Sequence, residues 1–241
     1  MPEVASSFGT AKRAYATSLQ AVGRGLSRSG LLEDEAPAFD ARWRHWAYSL
    51  TKVHDSMAMA QLDVPWWTYD AIGAIDAWLA RRSRPVRAFE YGSGASTVWL
   101  ARRCAEVFSV EHHRGFGEMM QAEVAHLPHV SLSVVEPVPS ERPVVPSAKE
   151  DHGGLDFADY VGAIDRVDGA FDIVVVDGRA REACMMAGRD RLAPGGIIVF
   201  DNSRRRRYRV AIATSGLDEI VYRGLTPTLP YPEQTSVLRR P

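Results

Sequence analysis

The chain has 241 residues, 46% of them hydrophobic, and a formal charge of −1; this size and apolar content fit one domain with a modest extension and crowd out two. The near-neutral balance supplies no global field for nucleic acid or an anionic membrane, so neither is an expected partner. The two cysteines, Cys104 and Cys184, form no CxxC or Cys/His pattern, which argues against a disulfide scaffold or a structural zinc site and suits a reducing compartment.

The N-terminus shows no apolar signal core, and no run approaches the ~20 apolar residues that cross a bilayer. The expected location is therefore the cytoplasm. The oligomeric state stays open, a homodimer included.

Residues 1–62 are rich in Ala, Ser, Arg and Met, and Phe39, Trp43, Trp46, Leu50 and Val53 recur at helical spacing, which predicts about two helices. Pro65 breaks this stretch. A further helix opens at Thr68-Tyr69-Asp70, places Ile72, Ile75, Trp78 and Leu79 on one face, and ends before Pro85. Residues 1–70 are accordingly expected as an N-terminal helical cap or extension and 71–241 as the main domain. Tryptophans 43 and 46 are expected in a helix-packing core, while Pro65-Trp66-Trp67 is open between core and substrate wall.

From Val86 short apolar runs alternate with helix-length amphipathic segments, the pattern of strand-helix units in a parallel sheet. Strands are predicted near 86–91, 106–111, 130–135, 172–177 and 196–201. The intervening helices fall at about 95–104, 114–126, 156–167 and 180–192, and residues 219–223 with 235–239 could close the sheet as an antiparallel pair. The segment 136–154, with four prolines and Gly153-Gly154, reads as a long loop, often a lid in such domains. The run Arg204 to Arg207 reads as a solvated face, with an anion grip as the alternative.

The first strand runs into Glu90-Tyr91-Gly92-Ser93-Gly94-Ala95-Ser96-Thr97. Glycines here let the chain turn sharply and let its backbone approach a ligand at the next helix's start, although such a turn can also be glycine for geometry alone. Glu111 closes the second strand, where a carboxylate can accept both hydroxyls of a ribose; an exposed strand-end Glu is the bland alternative. Dinucleotide folds place a third glycine where this turn has Ser96-Thr97, and a carboxylate at Glu90 would repel a diphosphate yet suit an ammonium group.

Four segments in order, Phe89-Glu90-Tyr91-Gly92-Ser93-Gly94, Ser109-Val110-Glu111-His112, Phe171 to Gly178 and Leu192 to Asn202, resemble the successive motifs of class I S-adenosylmethionine-dependent methyltransferases. The resemblance implies an α/β fold with a Rossmann-like, seven-stranded, mostly parallel sheet of order 3-2-1-4-5-7-6 and the cofactor across the carboxyl ends of strands 1 and 2. It implies cofactor binding by Glu90, Tyr91, Gly92, Ser93, Gly94 and Ser96 around the methionine part, Glu111 at the ribose, His112 at the adenine edge, and Asp177 near the methyl group. The implied reaction is methylation, at an oxygen of a small-molecule acceptor, with N-methylation, RNA methylation or a non-catalytic cofactor-binding module as rivals.

Asp177 ends the fourth predicted strand and Asp201-Asn202 the fifth, which would deliver three oxygen ligands to one rim and suit Mg2+; turn and cap chemistry explains the same residues equally well. The three also look like the metal set of the catechol O-methyltransferase group. That group carries a lysine shortly after the first Asp, whereas Gly178-Arg179-Ala180-Arg181 offers only arginines. A guanidinium is not a base at neutral pH, so Arg179 and Arg181 are expected to bind an anionic or carbonyl-bearing substrate. His112, His113 and His152 are the candidate bases, each also readable as a surface residue.

Overall fold

A computed structural model describes residues 35–52, 56–149 and 152–241. Val53 and the part of the helical stretch expected over residues 1–62 that falls in residues 1–34 lie outside the described residues. Helix α1 (Arg42–Ser49) leads into a single 3-10 turn (Leu50–Lys52) and α2 (Ser56–Gln61). Along α1 the buried positions are His45 and Ser49, one turn apart. Trp43 stands 69% exposed beside this stripe and meets Trp46 edge-on at 5.9 Å, so the core role expected for the Trp43 and Trp46 pair is corrected. Trp46 instead donates its indole N–H to the Leu229 carbonyl at 2.9 Å. Helix α3 (Tyr69–Ala80) starts where the Thr68 hydroxyl caps the Ala71 N–H.

The sheet comprises β1 (Arg87–Tyr91), β2 (Glu106–Glu111), β3 (Val130–Val134), β6 (Phe171–Val176), β7 (Leu192–Asp201), β8 (Asp218–Gly224) and β9 (Glu233–Arg239). Its order is β3-β2-β1-β6-β7-β9-β8, with β9 antiparallel to both of its neighbours, β7 and β8. Once the separate two-residue ribbon β4 (Val138–Pro139) and β5 (Leu155–Asp156) is set aside, this is the expected Rossmann-like order. The connecting helices are α4 (Ala95–Ala101), α5 (Arg114–Val124), α6 (Ala158–Val161), α7 (Arg181–Asp190) and α8 (Arg206–Thr214). Among the described residues no helix is long and apolar enough to cross a membrane.

Two elements differ from expectation. The helix predicted over 156–167 is one short α-helical stretch followed by a 3-10 segment, Gly162–Arg166. The loop expected over 136–154 is folded back in its described part: Asp156 accepts the N–H groups of Val144, Val145 and Ala158 at 2.8, 3.0 and 2.9 Å. One carboxylate thereby supplies backbone partners that the prolines cannot.

Alternation along the strands divides the core. Ile173 and Val175 of β6 face one side with Trp67, Ile75, Trp99 and Val199, and Val174 and Val176 face the other with Phe89, Tyr160, Met185 and Phe200. Both sides are buried, as a parallel sheet between helical layers requires. Trp67 and Trp99 pack edge-on at 5.4 Å with no more than 1% of either exposed, which ties the segment before α3 to α4. Trp67→Ala should lower unfolding free energy by about 3–5 kcal/mol, read from urea denaturation; a loss within error of zero would contradict this packing.

Candidate functional site

The parallel strands β1, β2, β6 and β7 all end on one rim, so the residues that follow them converge although they are far apart in sequence. A cleft of about 410 Å³ opens there, walled by the Gly92-Ser93-Gly94 turn, Glu111, His112, Asp177 and Arg179. A larger groove of about 720 Å³ borders the start of β7, with Trp78 and Tyr222 in its walls; it lies away from the strand ends and holds none of the expected site residues.

The glycine turn is built from two different demands. Gly92 has φ +96°, and a Cβ there would lie 2.8 Å from the Cα and N of Gly178, so this position is fixed by two backbones in contact. At Gly94 an added Cβ would meet nothing closer than the Trp66 ring at 3.9 Å, so the absent side chain leaves open space in the cleft. Trp66 therefore joins the cleft wall, its indole donating to the Thr228 hydroxyl at 2.9 Å, while Trp67 goes to the core. The Tyr91 side chain faces away: its hydroxyl donates to the Val161 carbonyl at 2.6 Å, and burial holds it protonated.

Glu90 does not reach the cleft, which corrects its expected contact with a methionine ammonium. It is completely buried. Its two oxygens accept the hydroxyls of Ser96 and Thr97, both at 2.5 Å, and of Ser109 at 2.8 Å. Burial pushes its pKa up to about 7 against those three hydroxyls, and Asp177 adds to the rise. Ser96 touches the cleft but spends its hydroxyl on Glu90. The pair anchors the turn from behind.

Glu111 ends β2 and lines the cleft. Its carboxylate accepts the N–H groups of Ser93 at 3.1 Å and of His112 and His113 at 2.9 Å each, and His112 Nδ1 lies 2.8 Å away. Burial alone would raise it, and His112 together with the backbone donors overcomes this and brings its pKa below the ordinary value. The His112 ring sits against Tyr160 and Phe157 and faces His152 at 6.1 Å. His113 caps α5, its Nδ1 accepting the Phe116 N–H at 3.2 Å, so that nitrogen is committed to the helix. Phe116, one helical turn into α5, lines the cleft; the sequence reading missed it, although an aromatic residue in the first turn after a strand-end Glu is a usable signal.

The carboxylates of Asp177 and Asp201 do not form an open oxygen cage. Arg181, 4% exposed, sits between the two strand ends: Nη2 binds Asp177 Oδ1 at 2.7 Å and the Asp177 carbonyl at 2.6 Å, Nη1 the Asp201 carbonyl, and Nε the Gly178 carbonyl at 3.1 Å. Asp201 is buried, accepts the Thr235 hydroxyl at 3.0 Å, and is pushed up to about 8 by burial and by Asp177. Burial raises Asp177 as well, with Arg181, then Arg179 and Arg205, opposing. Asn202 takes the left-handed turn position at φ +51°, a conformation asparagine tolerates well. Among the described residues no group of three or more His, Cys, Asp or Glu side chains is disposed to hold a metal. The expected Mg2+ set of Asp177, Asp201 and Asn202 is not shown: Arg181 already holds Asp177 Oδ1, and the Asp201 carboxyl is turned to Thr235. Arg181 is an internal residue, which corrects its expected role as a substrate ligand. Arg179, by contrast, lines the cleft; its Nη1 donates to the Gly178 carbonyl at 3.2 Å and its buried Nε has no partner. Arg204 to Arg207 are exposed, in keeping with a solvated face.

The strand order defines a Rossmann-like α/β domain, with a cleft over the ends of β1, β2 and β6 at the switch point of the sheet. The model of a family described as a methyltransferase domain matches residues 89–203. Among solved structures the chain is similar to a methyltransferase-like protein from Silicibacter pomeroyi, at 25% identity over 70% of this chain and 86% of that one, with a TM-score of 0.44. It is also similar to a precorrin-6y C5,15-methyltransferase from Geobacter metallireducens, at 13% identity over 73% and 91% with a TM-score of 0.47. A third is the N-methyltransferase NodS from Bradyrhizobium japonicum in complex with S-adenosyl-L-homocysteine, at 15% identity over 72% and 87% with a TM-score of 0.45. No curated protein matches the sequence.

The two glycines should separate in experiment. Gly92→Ala must displace Gly178 and is expected to cost about 2–4 kcal/mol of stability, whereas Gly94→Ala should unfold within about 0.5 kcal/mol of the native protein while filling the cleft. Urea midpoints that moved equally for both would refute the assignment. Glu90 gives a pH signature. Its folded pKa of about 7 lies above the ordinary 4.5, so the fold favours the protonated form: the contribution is full below the unfolded value and is lost as pH rises through the folded one, amounting to about 3 kcal/mol. Glu90→Gln should therefore gain stability relative to the native chain as pH is raised from about 5 to about 8; thermal melts that kept a constant difference would count against the buried, hydroxyl-held carboxyl.

Proposed function

We propose that the chain transfers a methyl group from S-adenosylmethionine to an oxygen of a small-molecule acceptor, without a divalent metal at the Asp177–Asp201 position. The observation that carries this reading is the open space at Gly94, bounded by the Glu111 carboxylate on one side and Asp177 on the other. A missing Cβ beside two separated carboxylates suits an uncharged sugar joined to a cationic amino acid and is poorly suited to a diphosphate.

The residues present fit that cofactor. Glu111 is the acceptor for the ribose hydroxyls, the Gly92 to Gly94 backbone lies along the methionine portion, and His112 and Phe116 flank the adenine. S-adenosylmethionine supplies a methyl group already activated on sulfonium sulfur. The protein's task is then alignment of the nucleophile and removal of its proton. Asp177 stands at the cleft with Oδ1 held by Arg181; its other oxygen has no partner among the described residues and is the group that accepts a hydrogen bond from the acceptor hydroxyl. Arg179 orients an anionic or carbonyl group of the acceptor, its unpartnered Nε being the reason to expect one. The described residues 35–52 and 56–70, with Trp66 over Gly94, serve as the cap on the acceptor side.

Calorimetry with S-adenosylmethionine and S-adenosylhomocysteine, followed by turnover against a panel of phenols, carboxylated hydroxy compounds and amines, tests the proposal. Binding of both nucleosides is expected, with Glu111→Gln weakening it about tenfold and Asp177→Asn lowering turnover by about two orders of magnitude at little change in cofactor affinity. Absence of affinity for either nucleoside overturns the reading; binding without turnover on any acceptor would leave only a cofactor-binding module; exclusive turnover of amines would overturn the oxygen assignment.

A further inference from the structure

The position between the ends of β6 and β7 that a pair of aspartates would offer to a divalent ion is occupied by part of the chain itself. Arg181 is the first residue of α7, and it follows Ala180, whose φ of +47° is a left-handed conformation alanine rarely adopts. That turn brings the guanidinium back beneath the strand ends, where it meets three main-chain carbonyls, those of Asp177, Gly178 and Asp201, and one carboxylate oxygen of Asp177. A cation at a helix N-terminus opposes the helix dipole, so this placement would be costly without compensating negative charge. Here the compensation is at hand: Asp177 is in direct contact, and Asp201 approaches through its carbonyl while its carboxyl turns to Thr235.

We propose that Arg181 is a built-in countercation that takes the place of a divalent metal at the Asp177–Asp201 pair, fixes the orientation of Asp177 toward the cleft, and leaves a divalent-ion site that opens only when the guanidinium is removed. Three features of the donor set support the substitution. The oxygens around Arg181 are carbonyl and carboxylate, the hard donors that Mg2+, Mn2+ and Ca2+ prefer. The guanidinium's planar fork spans two strand ends at once, which a compact ammonium cannot do. Its burial excludes water, so a metal could enter only by displacing a side chain that makes four hydrogen bonds. Arg181 is accordingly a positioning residue: its effect on a reaction in the cleft runs through Asp177. The inference stands on the contacts of Asp177, Arg181 and Asp201 and does not depend on which acceptor is methylated or on whether the chain turns one over.

The test compares the native chain with Arg181→Ala and Arg181→Lys, using Trp67→Ala, whose side chain packs in the core against Trp99 and not against Arg181, as a destabilised control. Thermal melts are recorded with chelator and with millimolar MnCl2, and Mn2+ binding is read by electron paramagnetic resonance. The native chain is expected to melt identically with and without Mn2+ and to leave the ion in its free, aqueous spectrum. Arg181→Ala should melt lower, recover several degrees in Mn2+, and broaden the ion's spectrum; Trp67→Ala should melt lower with no response to the ion. Should Arg181→Ala fail to fold in chelator, folding on addition of Mn2+ gives the same answer. Arg181→Lys keeps the charge and should remain folded and silent to Mn2+. Two results would overturn the proposal: specific Mn2+ binding by the native chain, or Arg181→Ala responding to Mn2+ no more than Trp67→Ala.

Discussion

Where β1 and β6 leave the sheet, the backbone of Gly92 lies against that of Gly178 with no room for a Cβ on the former. Each turn is pinned to the adjoining strand. The Gly92 N–H donates to the Val110 carbonyl at 2.8 Å and the Asp177 N–H to the Tyr91 carbonyl at 3.0 Å. Because both turns are fixed in this way, Gly94 faces open space and Asp177 stands across from it. Tyr160 closes the arrangement from below, since a Cβ at Gly178 would collide with its hydroxyl. The cleft is therefore a consequence of main-chain contact at the point where the sheet changes direction, and side chains decorate a gap that the backbone has already set.

Four carboxyl groups, Glu90, Glu111, Asp177 and Asp201, crowd this rim, and each resolves its burial differently. Glu90 takes three hydroxyls and carries a raised pKa. Glu111 takes backbone N–H groups and a histidine and stays easily ionised. Asp177 takes a guanidinium, and Asp201 takes a threonine hydroxyl and is pushed up to about 8 by burial and by Asp177. Uncompensated burial of four charges so close together would be prohibitive, so the differences are required by electrostatics before any ligand is considered. Only Glu111 and Asp177 combine a charge-favouring partner with access to the cleft, which is why the functional reading rests on those two.

Much of this was legible in the sequence, and the boundary is physical. Strand ends announce themselves through apolar runs that stop at an acidic residue, so the sequence alone shows Glu111 ending the second strand, Asp177 the fourth and Asp201 the fifth. The glycine turn was equally plain, but the separate duties of Gly92 and Gly94 were not, since one depends on Gly178, a partner some eighty positions away. The burial of Glu90 was hidden because its three hydroxyl partners belong to α4 and β2 and also read as ordinary polar residues. Arg181 reads as a substrate ligand in the sequence because it and Arg179 look alike in a string; the left-handed Ala180 between them accompanies the inward turn of one while the other stays at the cleft. Trp43 was misplaced because a spacing of three residues shows only that two tryptophans share a face, not which face is buried.

The wall that carries Trp66 has a different origin from the wall that carries Glu111. The latter comes from consecutive strand ends of the doubly wound sheet. Trp66 is held by Thr228, whose own N–H donates to Ser49 Oγ at 2.9 Å, while Trp46 binds the Leu229 carbonyl and the Tyr69 N–H the Leu225 carbonyl. The segment between β8 and β9 is thus a hub on which the N-terminal helices hang. It leads into the start of β9, where Thr235 accepts the Thr68 N–H at 3.1 Å and donates to Asp201 on the rim. Residues 225–235 therefore set where the N-terminal segment lies relative to Asp177, and changes in that segment can reshape one side of the cleft while the contact between Gly92 and Gly178 preserves the other. Such a division suits a site whose cofactor wall stays constant and whose acceptor wall is free to vary.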